Sequence, residues 1–334
     1  MSHVARMSPA ALFALSLLLL PARALSSQTT AGLTPPHRRH EALTYDPASK
    51  RVYLYGGQHV VSNSETPVLA DMWSWDGLRW TELAASTGTG MIVHKLFSDG
   101  AGSIFAIGIP RAPGAFTMPT GGAVTMRWGG MRWRTIVGDS TPVREGAAGA
   151  WDSQRHRFVL FGGLVRDHYA GDTWEFDGHR WLQAATNGPP PMLGAAMAFD
   201  SERQVMVLFG GVDTAGHKYG DTWEWNGASW TKVATAGPAA RFGAGIAYDA
   251  VRHETILFGG TDSSNTKLND TWRWDGRRWQ GAEVGLAPVP RSEGYLAYDS
   301  ARGIIVMFGG EGAVNFPSLG DTWEWNGVRW KSVP

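Results

Sequence analysis

The sequence predicts an all-β protein assembled from six copies of one unit set around a ring. Three observations carry this. A phrase, Asp-Thr-Trp-Glu-Trp-Asn-Gly-x-x-Trp in its fullest form, occurs at Asp221–Trp230 and Asp321–Trp330. Variants stand at Asp71–Trp80, Asp172–Trp181 and Asp270–Trp279, with a worn copy at Val124–Trp133. The closing residues Trp80, Trp133, Trp181, Trp230, Trp279 and Trp330 recur with a period of about 50 residues, which marks a repeat architecture. Within each unit, short apolar runs alternate with turn residues, and none is long enough for a typical helix.

One unit, from Arg241 to Gly281, shows the elements in order. Phe242–Tyr248 is small and apolar, and residues 249–253 turn the chain. Glu254–Phe258 is β-branched and aromatic and ends in Gly259-Gly260. A polar stretch follows, then the alternating strand Asp270–Trp274, the turn Asp275-Gly276 and the closing run Arg277–Gln280. These are four strands, a to d. Asp-Gly or Asn-Gly between aromatics is a hairpin signal, because a type I′ turn requires positive φ at both central residues. It recurs at Asp76-Gly77, Asp177-Gly178, Asn226-Gly227 and Asn326-Gly327, with Gly129-Gly130 in the second unit. Flanking pairs such as Trp225 and Trp230 are placed to interact across the hairpin.

A hydrophobic strand ending in Gly-Gly, a loop, then an aromatic strand and a Trp resembles the kelch repeat. The Gly pairs are Gly56-Gly57, Gly162-Gly163, Gly210-Gly211, Gly259-Gly260 and Gly309-Gly310; the second unit departs with Ile107-Gly108-Ile109. The resemblance spans about Arg38 to Pro334. It implies a six-bladed β-propeller with four antiparallel strands per blade, the blades covering about 38–83, 90–137, 144–184, 192–234, 241–282 and 291–334. Each blade needs its neighbours to bury both faces.

Ahead of the ring, residues 1–24 read as a secretory signal peptide: one early positive charge, an apolar run at Ala10–Leu20, and Ala22-Arg23-Ala24 as a small-x-small cleavage site. Residues 25–37 form an N-terminal extension. The expectation is an exported protein, periplasmic or extracellular, with no membrane insertion of the mature chain. There are no cysteines, so stability rests on blade packing, to which 17 Trp contribute. Thirty basic and thirty acidic residues cancel, and no basic run gives a footprint for nucleic acid.

In a four-stranded blade the long b–c and d–a loops share one face, and variable loops on a rigid scaffold are where binding residues concentrate. The longest loops belong to the first two blades and include His59 and Arg111. Strand a begins at this face and lines the channel. Three blades start it with small residues, Gly146-Ala147-Ala148, Gly194-Ala195-Ala196 and Gly243-Ala244-Gly245, which lets inner strands crowd near the axis. Two break the rule: His40-Glu41-Ala42 and Glu293-Gly294-Tyr295. Ring closure makes these two blades neighbours. His40, Glu41 and Glu293 are therefore the candidate catalytic residues, since proteins break local rules mainly at functional or strained sites. The competing reading is an interblade salt bridge.

Arginine recurs just before strand a, at Arg38, Arg144, Arg241 and Arg291. Four such groups converging on one mouth would bind carboxylates, and with His59 and Arg111 they are the candidate ligand-binding residues. The alternative is structural: a repeated Arg satisfies carbonyls or an Asp between blades. Asp71, Asp172, Asp221, Asp270 and Asp321 read as loop anchors.

The repeats resemble the propeller of galactose oxidase, but its copper site needs a Cys cross-linked to Tyr, so that chemistry is excluded. No sialidase Ser-x-Asp-x-Gly-x-x-Thr-Trp box, nucleophile elbow, phosphate loop or zinc-protease motif occurs. No metal site or cofactor is expected; Asp152/His156 and Asp249/His253 both span a short a–b turn. Two functions remain. One is a secreted binding scaffold for a glycan or protein partner. The other is a small-molecule enzyme at the channel mouth, since secreted six-bladed kelch proteins include a sialic acid mutarotase-epimerase. For a sugar acid that chemistry needs a proton donor, an acceptor and a cation.

Overall fold

The computed structural model describes residues 33–59, 67–88, 90–111, 123–136, 142, 144–313 and 318–334. The expected signal peptide and most of the extension lie outside them. The described chain is all β and forms six blades of four antiparallel strands, each ordered a-b-c-d from the inside outward.

Blade 1 comprises Ala42–Asp46, Arg51–Tyr55, Met72–Trp75 and Trp80–Ala84. Blade 2 comprises Gly90–Ser98, Ile104–Arg111, Val124–Trp128 and Trp133–Thr135. Blade 3 has Ala148–Asp152, Arg157–Phe161, Thr173–Phe176 and Trp181–Ala185. Blade 4 has Ala196–Asp200, Val205–Phe209, Thr222–Trp225 and Trp230–Ala234. Blade 5 has Gly245–Asp249, Glu254–Phe258, Thr271–Trp274 and Trp279–Ala282. Blade 6 has Tyr295–Asp299, Ile304–Phe308, Thr322–Trp325 and Trp330–Val333.

The core is not one mass but a set of wedges, each shared by two adjacent blades. Trp225 with Val159 and Phe161 fills the 3–4 wedge, and Trp80 with Val306 and Phe308 fills the wedge between blades 1 and 6. A directional bond is built into these wedges. The closing Trp of a blade donates its indole N–H to the first Thr of strand c in the preceding blade. Trp181 bonds Thr125, Trp230 bonds Thr173, Trp279 bonds Thr222 and Trp330 bonds Thr271, all at 2.8–2.9 Å. Across the closing seam Trp80 bonds Thr322 at 2.9 Å. Blade 1 has Met72 where the others have Thr, and the Trp133 Nε1 of blade 2 is buried with no partner.

Closure therefore repeats the Trp–Thr contact of the other seams. Blades 1 and 6 each hold all four of their own strands. Among the described residues, the one backbone link to blade 6 from the segment ahead of strand a is an isolated bridge, Arg38 N–H to Leu319 O at 2.9 Å. It has the same form as Arg291 to Leu268 and Arg241 to Tyr219.

Blade 2 differs from its siblings. In blades 3 to 6, Gly-Gly takes positive φ (68° and 92° at Gly162 and Gly163) and bends the chain out of strand b. Blade 2 has a lone Gly108 there, so its strand b runs on to Arg111. Its strand a is nine residues long and carries a bulge between Val93 and Lys95.

Candidate functional site

In five blades strand a begins beside a b–c loop, so the inner strand ends and these loops share one face. The bridges Arg39 to Gln58, Glu145 to Leu164, Leu193 to Val212, Phe242 to Thr261 and Ser292 to Glu311 fix this arrangement. On that face a cavity of about 220 Å³ lies on the axis, lined by residues of all six blades. His40, Lys95, Glu145 and Glu293 supply its charges or polar groups, Tyr295 and Phe242 its aromatic rings, and Gly146, Gly194 and Gly243 its narrow floor.

The first residue of strand a's approach has one backbone requirement: it sits in the left-handed region. Gly146, Gly194 and Gly243 have φ of 61°, 69° and 67°. His40 and Glu293 occupy the same position with φ of 56° and 57°. Glycine adopts this conformation freely, whereas a residue with a Cβ pays about 1 kcal/mol or more. In blades 4, 5 and 6 the amide at this position donates to its counterpart in the blade before: Gly194 to Gly146, Gly243 to Gly194 and Glu293 to Gly243. Among the described residues no such bond joins His40 to Glu293. Their side chains meet instead, His40 Nε2 lying 3.3 Å from Glu293 Oε2.

Glu41 is fully buried behind this pair. Its carboxyl lies against Gly309, where an added Cβ would collide with Oε1. At three other seams the N–H of the second glycine donates to the neighbouring blade, as from Gly260 to Arg291 O (2.9 Å). At this seam the Gly310 N–H instead faces the Glu41 carboxyl. Neither carboxyl oxygen makes a well-formed hydrogen bond. Burial pushes its pKa well above the usual carboxylate range. The backbone N–H groups of Glu41 and Gly310 and the Arg38 charge offset part of that, while Glu293 adds to it. Glu41 and Glu293 thus gather at the blade 1–6 seam with His40, as the strand a alignment anticipates.

The arginines do not face this cavity. Arg38 is wholly buried and grips Asp71 with both terminal nitrogens (2.9 and 2.6 Å) while donating to Gly56 O. Arg144 grips Asp172, Arg241 grips Asp270 and Arg291 grips Asp321 in the same two-pronged way, with Gly162, Gly259 and Gly309 as the carbonyl acceptors. Each Asp also accepts an indole N–H two residues on, from Trp73, Trp174, Trp272 or Trp323. Burial would raise the carboxyls of Asp172, Asp270 and Asp321, but the Arg and Trp hydrogen bonds outweigh it and lower them. The geometry is therefore that of the structural alternative. Blade 4 has Met192 in place of Arg, and Lys232 pairs with its Asp221 at 2.6 Å.

His59 does not line the axial cavity; its Nδ1 lies 2.6 Å from His37 O. Arg111 closes strand b of blade 2, and its side chain lies outside the described set. His156 and His253 occupy left-handed turn positions (φ 54° and 58°), as Lys50 and Gln204 do in their blades. Among the described residues no cluster of three or more His, Cys, Asp or Glu is arranged to hold a metal ion.

The residue that the repeat alignment passed over is Lys95. It stands three positions before the a–b turn, in register with Leu43, Gly149, Met197, Ile246 and Leu296. These line the channel together. A lysine at an apolar tier was the available signal. It was missed because blade 2 lacks the aromatic-Asp pair on which the other strands align, having Phe97-Ser98 instead.

The solved structure of YjhT is similar to this chain, with a TM-score of 0.67 and 14% identity over 90% of this chain and 99% of that one. At that identity the likeness concerns the fold, a six-bladed propeller. No family model and no curated protein sequence matches the chain.

Proposed function

We propose that the protein is an exported propeller that binds a sugar-sized solute, a glycan residue or a sugar acid, in the axial cavity. The observation that carries this is the pair His40 and Glu293. Both residues accept left-handed backbone strain at a position that glycine fills in three other blades, and both turn polar side chains into the cavity. Strain retained where glycine would relieve it points to use. Arg38 and Arg291 are committed to Asp71 and Asp321 and form no ion pair with Glu41 or Glu293, so an interblade ion pair of this seam is His40 with Glu293, both of which face the cavity. Glu293 Oε2 has no well-formed hydrogen bond, and His40 supplies a donor beside it. A carboxylate acceptor next to an imidazole donor matches a vicinal diol. The volume is below the about 300 Å³ at which ligand pockets usually begin, which suits one small ligand.

The same two groups also support a second reading, catalysed ring opening at an anomeric centre, which needs one proton acceptor and one donor. Calorimetric titration of a panel of monosaccharides and sugar acids tests binding. Glu293→Gln and His40→Gly should each weaken binding at least tenfold with little change in melting temperature. Binding undiminished in both variants, or no binding by the parent protein, would remove the axial site. Anomer exchange followed by NMR separates catalysis from binding alone.

A further inference from the structure

We propose that Lys95 is an amine nucleophile that captures a carbonyl-bearing ligand, an aldehyde or a 2-keto acid, as an imine in the axial channel. The proposal rests on the cavity above being a ligand site, and it names the ligand class for that site.

Four observations carry it. The tier occupied by Lys95 is otherwise Leu43, Gly149, Met197, Ile246 and Leu296, so the fold itself has no need of a cation there. Lys95 follows a bulge in strand a that the other inner strands lack, and bulges re-aim side chains. Among the described residues its amine has no hydrogen bond or ion pair; its neighbour is the Tyr295 ring, with the centroid 5.4 Å from Nζ. Finally, Lys95 lines both the mouth cavity and the apolar tier below it, so a ligand seated at the mouth meets the amine.

A cation–π contact with Tyr295 is the structural alternative. It is worth about 1–2 kcal/mol, less than the cost of taking an ammonium out of water. Burial accordingly pushes the Lys95 pKa down to about 8, against the opposing charge of Glu293. A large fraction of the amine is then neutral near pH 8, which is the reactive form.

The chemistry balances without an oxidant or reductant. The ammonium first gives a proton to Glu293 or to water. The nitrogen lone pair then forms a bond to the carbonyl carbon, giving a carbinolamine. Its oxygen leaves as water, and the nitrogen loses its remaining protons to leave a C=N bond.

The test is reductive trapping on the full protein. Glyceraldehyde or pyruvate is added with borohydride, which supplies the hydride that fixes the imine, and the peptides are mapped by mass. The chain has six lysines, so five serve as internal controls. Lys95 should label at least tenfold faster than the others at pH 8; its own rate should fall at least tenfold by pH 6, and its advantage should close only near about pH 10.4, where ordinary lysines also lose their protons. Lys95→Met fills the tier as Met197 does and should fold normally without the label. Equal labelling of all six lysines, or a label yield unchanged in Lys95→Met, would overturn the proposal. Calorimetry on the same samples separates the two ideas. Sugar binding without trapping rejects the imine and leaves the binding site. Selective trapping without sugar binding supports the imine and rejects the binding reading.

Discussion

At the scale of single residues, the closing seam concentrates ionisable groups where other seams have backbone contacts. Glu41 is the clearest case, because its folded pKa is raised by burial. A carboxyl of this kind binds a proton more tightly when folded than when unfolded. Its contribution is fully present below the unfolded pKa, near 4.5, and is lost as pH rises toward the folded value. The protein should therefore melt lower at pH 8 than at pH 5 through this residue. Glu41→Gln should remove that slope, raising the melting temperature at pH 8 and leaving it nearly unchanged at pH 4.5, as read by thermal melts across pH. A second residue-scale expectation concerns strain. Glu293→Gly should stabilise by up to about 1 kcal/mol in denaturant titration, even as it loses binding, because it relieves a left-handed residue.

At the scale of elements, the Asp-Thr-Trp-Glu-Trp phrase is an assembly instruction. Its Asp anchors an arginine, its Thr accepts an indole N–H from the next blade, and its second Trp packs on the closing Trp, as Trp225 does on Trp230 with ring centroids 5.5 Å apart. Thr271→Val keeps the shape and deletes the acceptor for Trp330. It should cost about 1–3 kcal/mol, the penalty of a buried unpaired donor, measured by denaturant unfolding. Arg241→Met should likewise cost about 1–3 kcal/mol, because the half-buried Asp270 loses its partner. Blade 4 shows how the chain compensates for a missing arginine. Gly281→Lys places an amine where Lys232 stands relative to Asp221, and should recover part of the loss.

At the scale of the whole molecule, a ring of wedges is only as strong as its closing seam. Here that seam uses the same units as the rest: Trp80 to Thr322, Arg38 N–H to Leu319, and Arg302 of blade 6 packed over Gly77 of blade 1 as Arg155 is packed over Gly227. Trp80→Phe should therefore destabilise by about as much as Trp279→Phe, within about 1 kcal/mol, in parallel denaturant curves. A much larger loss for Trp80→Phe would mean that closure depends on that seam alone.

The repeat period, the hairpin turns and the anomaly of His40, Glu41 and Glu293 are legible in the sequence. Each follows from a local rule: an apolar alternation, a positive-φ turn, or a small residue required where strands crowd. The count of blades determined that the anomalous pair would be neighbours. What the sequence left open was decided by contacts between residues far apart in the chain. Arg38 finds Asp71, 33 positions on, so its guanidinium is spent inside the blade and not at the mouth. Lys95 is an ordinary lysine in its own strand. It is set apart only because six inner strands converge and partly bury it, placing it beside Tyr295 and within the field of Glu293. Desolvation is a property of the assembled ring, and no local pattern in the sequence encodes it.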